Sequence, residues 1–390
     1  MLTQEAREEL ERQQYRIVGS HSAVKTCGWT KNMLRGRGGC YKLKFYGIMS
    51  HQCLQMTTSI SCANRCTFCW RGYKAPVAKE WKWGVDDPAM ILGESVKAHH
   101  KLLTGYGGND KVLSRLYEQA REVRHVALSL TGEPIIYPRI NELIRLFDEK
   151  GISTFMVTNA QYPEAIKDLA PVTQLYLSLD APSKELLKKI DVPLFPDYWE
   201  RLNRSLDYLA QKQQRTCIRL TAVKGLNMVE PEKYAHLILK GDPDFIEVKA
   251  YMFVGASRQR LSLANMPAHE EVVAFAKEIL AFLPGHEFVS EHIPSRVVML
   301  AKRSYKKNGT WRTWIDFKKY QGLALSGNAF SSEDYVRITP PSSIGISGKG
   351  SPTKEEAVER KKRREERMAK MRQRLAAGAT SEDIEEIDLN

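Results

Sequence analysis

Three cysteines, Cys62, Cys66 and Cys69, stand at C-x3-C-x2-C in the stretch Cys62-Ala63-Asn64-Arg65-Cys66-Thr67-Phe68-Cys69. Thiolates crowded this closely can all reach one inorganic cluster, and short cysteine runs of this kind hold iron–sulfur clusters. Three protein ligands leave one iron of a four-iron cluster open, which serves chemistry at that iron better than plain electron transfer. A structural zinc site would call for four ligands, usually in paired C-x2-4-C modules. Three inert buried thiols within eight residues would be an odd use of cysteine.

Immediately upstream lie Cys27, Cys40 and Cys53, each pair separated by twelve residues. Even spacing alone does not make a metal site. Placed ahead of a three-thiol motif, however, these cysteines read best as ligands of a second cluster, again with one open iron. The seventh cysteine, Cys217, reads as a buried thiol. An odd total argues against a disulfide framework and fits a reducing cytoplasm.

At 390 residues the chain has room for one large domain with decorations. No apolar run approaches the roughly 18 residues of a membrane span, and the charged, helix-like start is not a secretory signal. The net charge of +13 is unevenly placed: from Arg12 to Lys79 there is no Asp or Glu, against twelve Lys and Arg. Tyr15, Trp29, Tyr41, Phe45, Tyr46, Phe68, Trp70 and Tyr73 lie among them. A basic field interleaved with aromatics attracts polyanions and offers faces on which bases stack, so a nucleic-acid partner is expected. The same charge also offsets anionic clusters and cofactor carboxylates.

The elements that must position these residues are legible as a pattern. Strand-like runs fall at 54–60, 125–130, 152–158, 174–179, 217–223 and 245–252, with helical stretches between them. Such alternation means parallel strands with crossover helices. Six strands predict an α/β fold, a partial (βα)6 TIM-type barrel, whose chemistry would sit at the C-terminal strand ends. The polar residues there are Thr158 and Asn159, Ser178 and Asp180, Thr221, Lys224 and Asn227, and Lys249 and Tyr251. Arg219 reads as core-flanking or as a carboxylate partner. Residues 1–20 read as a helical lead-in, 83–124 as helices, 270–283 as a further helix, and 287–291 and 296–302 as added strands. The expected division is 1–53 for the upstream cysteines, 54–300 for the barrel, 301–339 for an extension, and 340–390 for a linker, charged helix and acidic tail. His292, Arg296, Lys302, Arg303, Lys306 and Lys307, followed by Trp311, Arg312 and Trp314, form a second basic area that would suit an RNA backbone.

The triplet, with aromatic Phe68 before its last cysteine, resembles the radical S-adenosylmethionine (SAM) superfamily. That resemblance implies a [4Fe–4S] cluster whose open iron binds the amino and carboxylate groups of SAM. It likens Thr131-Gly132-Glu133-Pro134 to the superfamily's second-strand motif, with Gly132 and Glu133 meeting the SAM amino group. The polar residues at the strand ends, Asn159, Ser178, Asp180 and Asn227 among them, read singly as turn caps but as a ring as contacts to SAM ribose, adenine and substrate. The six-cysteine pattern from Cys27 to Cys69 is similar, more narrowly, to the archaeal-type tRNA 4-demethylwyosine synthases, over about residues 20–330. Trp70-Arg71-Gly72-Tyr73-Lys74 and Tyr251-Met252-Phe253-Val254-Gly255-Ala256-Ser257-Arg258 share in it.

The narrower resemblance implies two [4Fe–4S] clusters and condensation of N1-methylguanosine beside the anticodon, in phenylalanine tRNA, with two carbons of pyruvate. It implies that Lys42 forms a Schiff base with pyruvate, with Lys44 as its rival. In the alternative, pyruvate chelates the open iron of the second cluster and Lys42 neutralises its carboxylate. It further implies an external electron donor such as flavodoxin or ferredoxin, a cytoplasmic location and no membrane. A tRNA methylthiotransferase and a zinc-stabilised RNA-binding protein are the competing readings.

Overall fold

Near-continuous apolar runs give the central strands two apolar faces, and that decides the architecture. The computed structural model describes residues 4–72 and 75–345, together with Glu366. Its main sheet contains β1 (Arg16–Val18), β2 (Ser22–Val24), β3 (Cys53–Thr57), β4 (His125–Leu128), β5 (Ser153–Thr158), β6 (Gln174–Ser178), β7 (Arg215–Ala222), β8 (Phe245–Ala250), β9 (His286–His292) and β10 (Val297–Lys302). The order is β1-β2-β3-β4-β5-β6-β7-β8-β10-β9. Neighbours from β3 to β8 pair in parallel, as the alternating sequence predicts. Antiparallel strands flank them, β2 beside β3 and β10 beside β8.

The helices are α1 (Gln4–Arg12), α2 (Gly28–Leu34), α3 (Tyr41–Tyr46), α4 (Pro88–Leu103), α5 (Ser114–Ala120), α6 (Ile140–Glu149), α7 (Pro163–Lys167), α8 (Lys184–Asp191), α9 (Tyr198–Leu209), α10 (Pro231–Gly241), α11 (His269–Leu280) and α12 (Phe317–Ser326). One face of the strands, with Ile218, Leu220, Ile246 and Val248, packs with α6 to α11 in the outer core. The other face forms an aromatic-rich lumen from Phe155, Tyr176, Cys217 and Phe245.

Three sequence expectations are corrected by the fold. Residues 1–20 are not only helical, because β1 joins the sheet as half of a hairpin whose three-residue strands are too short to show a period. The boundary expected after residue 53 falls at the first residue of β3, so the sheet runs straight across it. The basic stretch does not present all its aromatics to a partner, since Tyr15, Tyr41, Phe45 and Tyr46 are buried. Of these, Tyr41, Phe45 and Tyr46 belong to α3, which enters the lumen and packs with Tyr176 and Phe245.

The extension after β10 closes the far end of the lumen and grips α3. Thr313 Oγ1 donates to the Phe45 carbonyl at 2.7 Å, and Trp314 Nε1 donates to that of Lys44 at 3.1 Å. These carbonyls belong to a helix end that has no intrahelical donors left. Fully buried Arg215 donates through Nη2 to the Thr313 carbonyl at 2.7 Å. Tyr335 Oη accepts from Arg215 N at 2.7 Å and donates to the Thr173 carbonyl at 3.0 Å. A Tyr335→Phe variant keeps the shape and strands both backbone groups. Urea unfolding should show a loss of about 1–3 kcal/mol, and an unchanged midpoint would refute this role for the hydroxyl.

Among the described residues, no helix is long and apolar enough to cross a membrane. The charged helix and acidic tail read from the sequence lie outside the described residues, Glu366 excepted.

Candidate active site

The loop after β3 carries Cys62, Cys66 and Cys69, and its backbone is tied down on two sides. Arg65 N donates to the Asp191 carbonyl at 2.9 Å and Thr67 N to that of Ile190 at 2.7 Å, which satisfies the C-terminal turn of α8. Asn64 Nδ2 donates to Asp191 Oδ2 at 3.2 Å. From the other side Arg260 donates to the carbonyls of Thr67 at 2.9 Å and Arg71 at 3.3 Å, and also to that of Cys69. Neither Arg260 nor Asp191 was singled out in the sequence. Their partners are far away in the chain, 193 residues for the Arg260–Thr67 contact, and no local pattern marks them.

Two N–H groups point at the Cys62 sulfur, Asn159 Nδ2 at 3.3 Å and Asn64 N at 3.4 Å. Hydrogen bonds to sulfur are one of the levers that tune an iron–sulfur cluster. Burial pushes the Cys62 thiol up to about 11, with Arg71 pulling the other way, and raises Cys66 well above the ordinary thiol range. A bound metal reverses this and holds such thiols as thiolates.

Beside the loop, Gly132 takes φ of +66° and its Cα faces the Ser59 carbonyl. That close approach brings Glu133 in, with its N–H donating to the Ser61 carbonyl at 2.8 Å. Glu133 is 1% exposed; Oε2 accepts from Asn159 N at 2.9 Å, while Oε1 has no partner. Asp180 accepts from Thr221 N at 3.1 Å, and burial raises its carboxyl to about 6. Phe68 and Ser178 are half-buried. Asn227 is a correction. Its amide donates to the Asp180 and Thr221 carbonyls at 2.8 Å each and accepts from Val223 N at 2.6 Å, so it closes its own loop and has no donor left for a cofactor.

The second set of cysteines occupies three element starts. Cys27 is the N-cap of α2, Cys40 the N-cap of α3, and Cys53 the first residue of β3. First-turn N–H groups of Trp29 and Thr30 act on the Cys27 sulfur, and Cys27, Cys40 and Cys53 feel one another electrostatically. Burial drives Cys53 to about 12, with Lys42 opposing it. Lys42 points into the lumen, its Nζ 4.7 Å from the Tyr176 ring centroid and 5.6 Å from that of Phe155. Lys44, two residues on along a short helix, instead lies near Glu291 and His292.

The second basic area is also corrected. Because β10 runs antiparallel to β8, Lys302 and the residues after it emerge at the N-terminal end of the barrel, away from the cysteines. Lys302 pairs there with Asp242, Lys306 and Arg303 with Glu287, and Lys307 with Glu333, while Trp311 and Trp314 are buried. The Gly255-Ala256-Ser257 turn packs on the cluster loop, with Ala256 N donating to the Trp70 carbonyl at 3.0 Å. Tyr73 and Lys74 lie outside the described residues.

Comparison with known proteins places this arrangement. Residues 56–238 match the radical SAM superfamily, and residues 240–302 match the family described as wyosine base formation. A solved TYW1 structure carrying a lysine–pyruvate adduct superposes with a TM-score of 0.71 at 36% identity, covering 79% of this chain and 99% of that one. The chain belongs to the tRNA 4-demethylwyosine synthase family.

An archaeal TYW1 structure agrees, with a TM-score of 0.64 and 34% identity over 79% of this chain and 99% of that one. The mouse tRNA 4-demethylwyosine synthase TYW1 is 47% identical over 369 residues, 93% of this chain and 51% of its own length. The chain thus spans about half the length of the curated relatives it matches. The methylthiotransferase and zinc-protein readings fall with this assignment.

As a radical SAM protein, this member of the synthase family uses SAM and an iron–sulfur cluster, and its residues fit both. Among the described residues no three His, Cys, Asp or Glu side chains converge as a single metal ion requires. Cys62, Cys66 and Cys69 nevertheless stand on one loop and act on one another electrostatically, and thiols from one such short run are what a multi-iron group takes as ligands. The unpartnered Glu133 Oε1 is an acceptor suited to an ammonium such as that of SAM. Burial holds the Glu133 carboxyl at about 7 against an ordinary 4.5. The folded protein therefore keeps a proton that the unfolded chain loses, and stability falls as pH rises from about 4.5 to about 7. In metal-free, SAM-free protein, Glu133→Gln should remove part of that fall. Equal pH slopes for variant and parent over this window would show that the carboxyl is not so perturbed.

Proposed function

We propose that this chain is a radical SAM enzyme that joins N1-methylguanosine beside the anticodon of phenylalanine tRNA with two carbons of pyruvate, forming tricyclic 4-demethylwyosine. The observation that carries the reading is the position of Lys42. It extends from a helix capped by Cys40 into the barrel lumen, within electrostatic reach of Cys27 and Cys53. A related solved structure carries a lysine–pyruvate adduct, and Lys42, unlike Lys44, faces the lumen where a substrate would meet it.

Cys62, Cys66 and Cys69 hold one [4Fe–4S] cluster, and Cys27, Cys40 and Cys53 hold a second. With SAM bound, the first cluster supplies the radical chemistry that activates the methyl group of the modified guanosine. Glu133 accepts from the SAM ammonium, and Asn159, Ser178 and Asp180 line the approach to it. Lys42 attacks the pyruvate carbonyl carbon, and the aromatic walls of Tyr176 and Phe155 keep water from the resulting imine. The guanine leaves its stack to reach this depth. Lys31, Arg35, Arg37 and Arg65, on the elements beside the two cysteine sets, favour a phosphate backbone. An external donor such as flavodoxin or ferredoxin and a cytoplasmic setting complete the reading, because thiol sets of this kind survive in a reducing compartment.

The test uses anaerobic, cluster-reconstituted protein with SAM, a reductant and N1-methylguanosine-containing tRNA, with and without pyruvate. Mass spectrometry should find 5′-deoxyadenosine in both and the tricyclic nucleoside only with pyruvate. Deoxyadenosine without that nucleoside under either condition would overturn the substrate assignment.

A further inference from the structure

Three cations face the lumen from adjacent elements: Lys42 on α3, Arg219 on β7 and Lys249 on β8. Arg219 lies opposite Glu247 and Thr221 opposite Lys249, so the Arg219 and Lys249 side chains are diagonal neighbours on the inward face. All three cations are half-buried, and among the described residues none makes an ion pair with a carboxylate. Glu247, directly opposite Arg219, accepts from Tyr46 Oη at 2.9 Å through Oε1 and acts electrostatically on all three cations without an ion pair to any of them. Asp180 acts on Arg219 in the same way while accepting from Thr221 N. The guanidinium of Arg219 lies beside the Tyr41 hydroxyl, and its five-donor fork can still meet both oxygens of a carboxylate. Cations drawn even partly out of water are costly without a partner. Part of the charge on Lys249 answers Glu247 and then Cys27, and part of that on Lys42 answers Glu247, Cys27 and Cys53, so two carboxylates, Glu247 and Asp180, face three cations. That accounts for neither the guanidinium fork nor its place beside Lys249.

We propose that Arg219 and Lys249 form the carboxylate subsite for a short 2-oxo acid, holding its carbonyl carbon against Lys42 Nζ. The inference rests on the proposed function for the identity of that acid, pyruvate. Its chemistry requires two separate sites. Lys42 gives up its ammonium proton, its Nζ bonds to C2, two amine hydrogens leave with the carbonyl oxygen as water, and the returned proton leaves a protonated imine. The carboxylate one bond away keeps its charge throughout and needs its own cationic partner, which an arginine fork supplies with both oxygens matched.

Two measurements test this on anaerobic holoenzyme. In the first, borohydride trapping with equal pyruvate and methyl pyruvate gives two reduced adducts on Lys42 that differ in mass. The ratio counts only folded, reactive molecules. The parent's preference for the acid should fall about tenfold or more in Arg219→Met and in Lys249→Met, the size expected for one charge-assisted hydrogen bond. In the second, equilibrium binding of labelled pyruvate should persist in Lys42→Ala and weaken about tenfold or more in Lys42→Ala/Arg219→Met. Unchanged ratios and unchanged binding would overturn the proposal and leave the cations as counter-charges to thiolates. Pyruvate binding without any Lys42 adduct would remove the imine from the proposed function and leave this subsite standing. No binding to parent or variant would sink both.

Discussion

Replacement of Lys42 by alanine is expected to lower formation of the tricyclic nucleoside by about 10⁴-fold or more, the scale seen when a nucleophile acting as a unit with its neighbours is removed. The borohydride-trappable pyruvate adduct should vanish with it. 5′-Deoxyadenosine should still accumulate, because Cys62, Cys66, Cys69 and Glu133 lie on the loops after β3 and β4, whereas Lys42 enters the lumen from α3. The structure gives the lysine no substitute. Lys44 lies near Glu291 and His292, and Lys249 sits on β8 beside Arg219, where the carboxylate subsite is proposed. A Lys42→Ala enzyme that made product at near-parental rates would show that the carbon donor is held without covalent capture.

The second large effect is structural. A Cβ added at Gly132 would lie 1.9 Å from the Ser59 carbonyl oxygen and 2.8 Å from both the Ile60 carbonyl carbon and the Ser61 oxygen, all of them backbone. Its φ of +66° adds strain for any side chain. No flexible group can move aside, so the loop or the Gly132 turn must be displaced. Gly132→Ala should destabilise the protein by about 4 kcal/mol or more, in the range kept for buried clashes and backbone strain. It should also break the 2.8 Å bond from Glu133 N to Ser61, and with it the order of the loop carrying Cys62. Thermal unfolding and iron content of the reconstituted protein measure both effects. Parental values for both would mean that this close approach is not obligatory.

Much of the barrel was legible because its strands are short, strongly apolar and separated by helical stretches, so period and punctuation agree. His125–Leu128 and Phe245–Ala250 fall inside the expected runs, and Gln174–Ser178 ends one residue short of its run. The grouping of the cysteines was legible because their spacing is local: Cys62, Cys66 and Cys69 share one loop, and Cys27, Cys40 and Cys53 act on one another electrostatically. What failed was the reading of the aromatics. Composition does not say whether a tyrosine beside lysines faces solvent or a lumen, and a six-residue helix such as Tyr41–Tyr46 is too short to reveal its buried face. The clamp from Arg260 and the carboxylate of Asp191 were hidden for another reason. Their partners are set by the closure of the barrel, and the same residues in another fold would be ordinary surface charges.

The grip of the extension on α3 also has a consequence in time. Phe45 and Thr313 are 268 residues apart, and Lys44 and Trp314 are 270 apart. At a synthesis rate of about 5–20 residues per second, roughly 15–50 s pass between the appearance of Lys42 and the arrival of the residues that fix its helix. During that interval Cys27, Cys40 and Cys53 are on a chain whose lumen is not yet closed. The second cluster proposed for these cysteines would therefore have an early, open window for its insertion. A ribosome-bound chain halted before residue 310 should accept iron there faster than the finished protein.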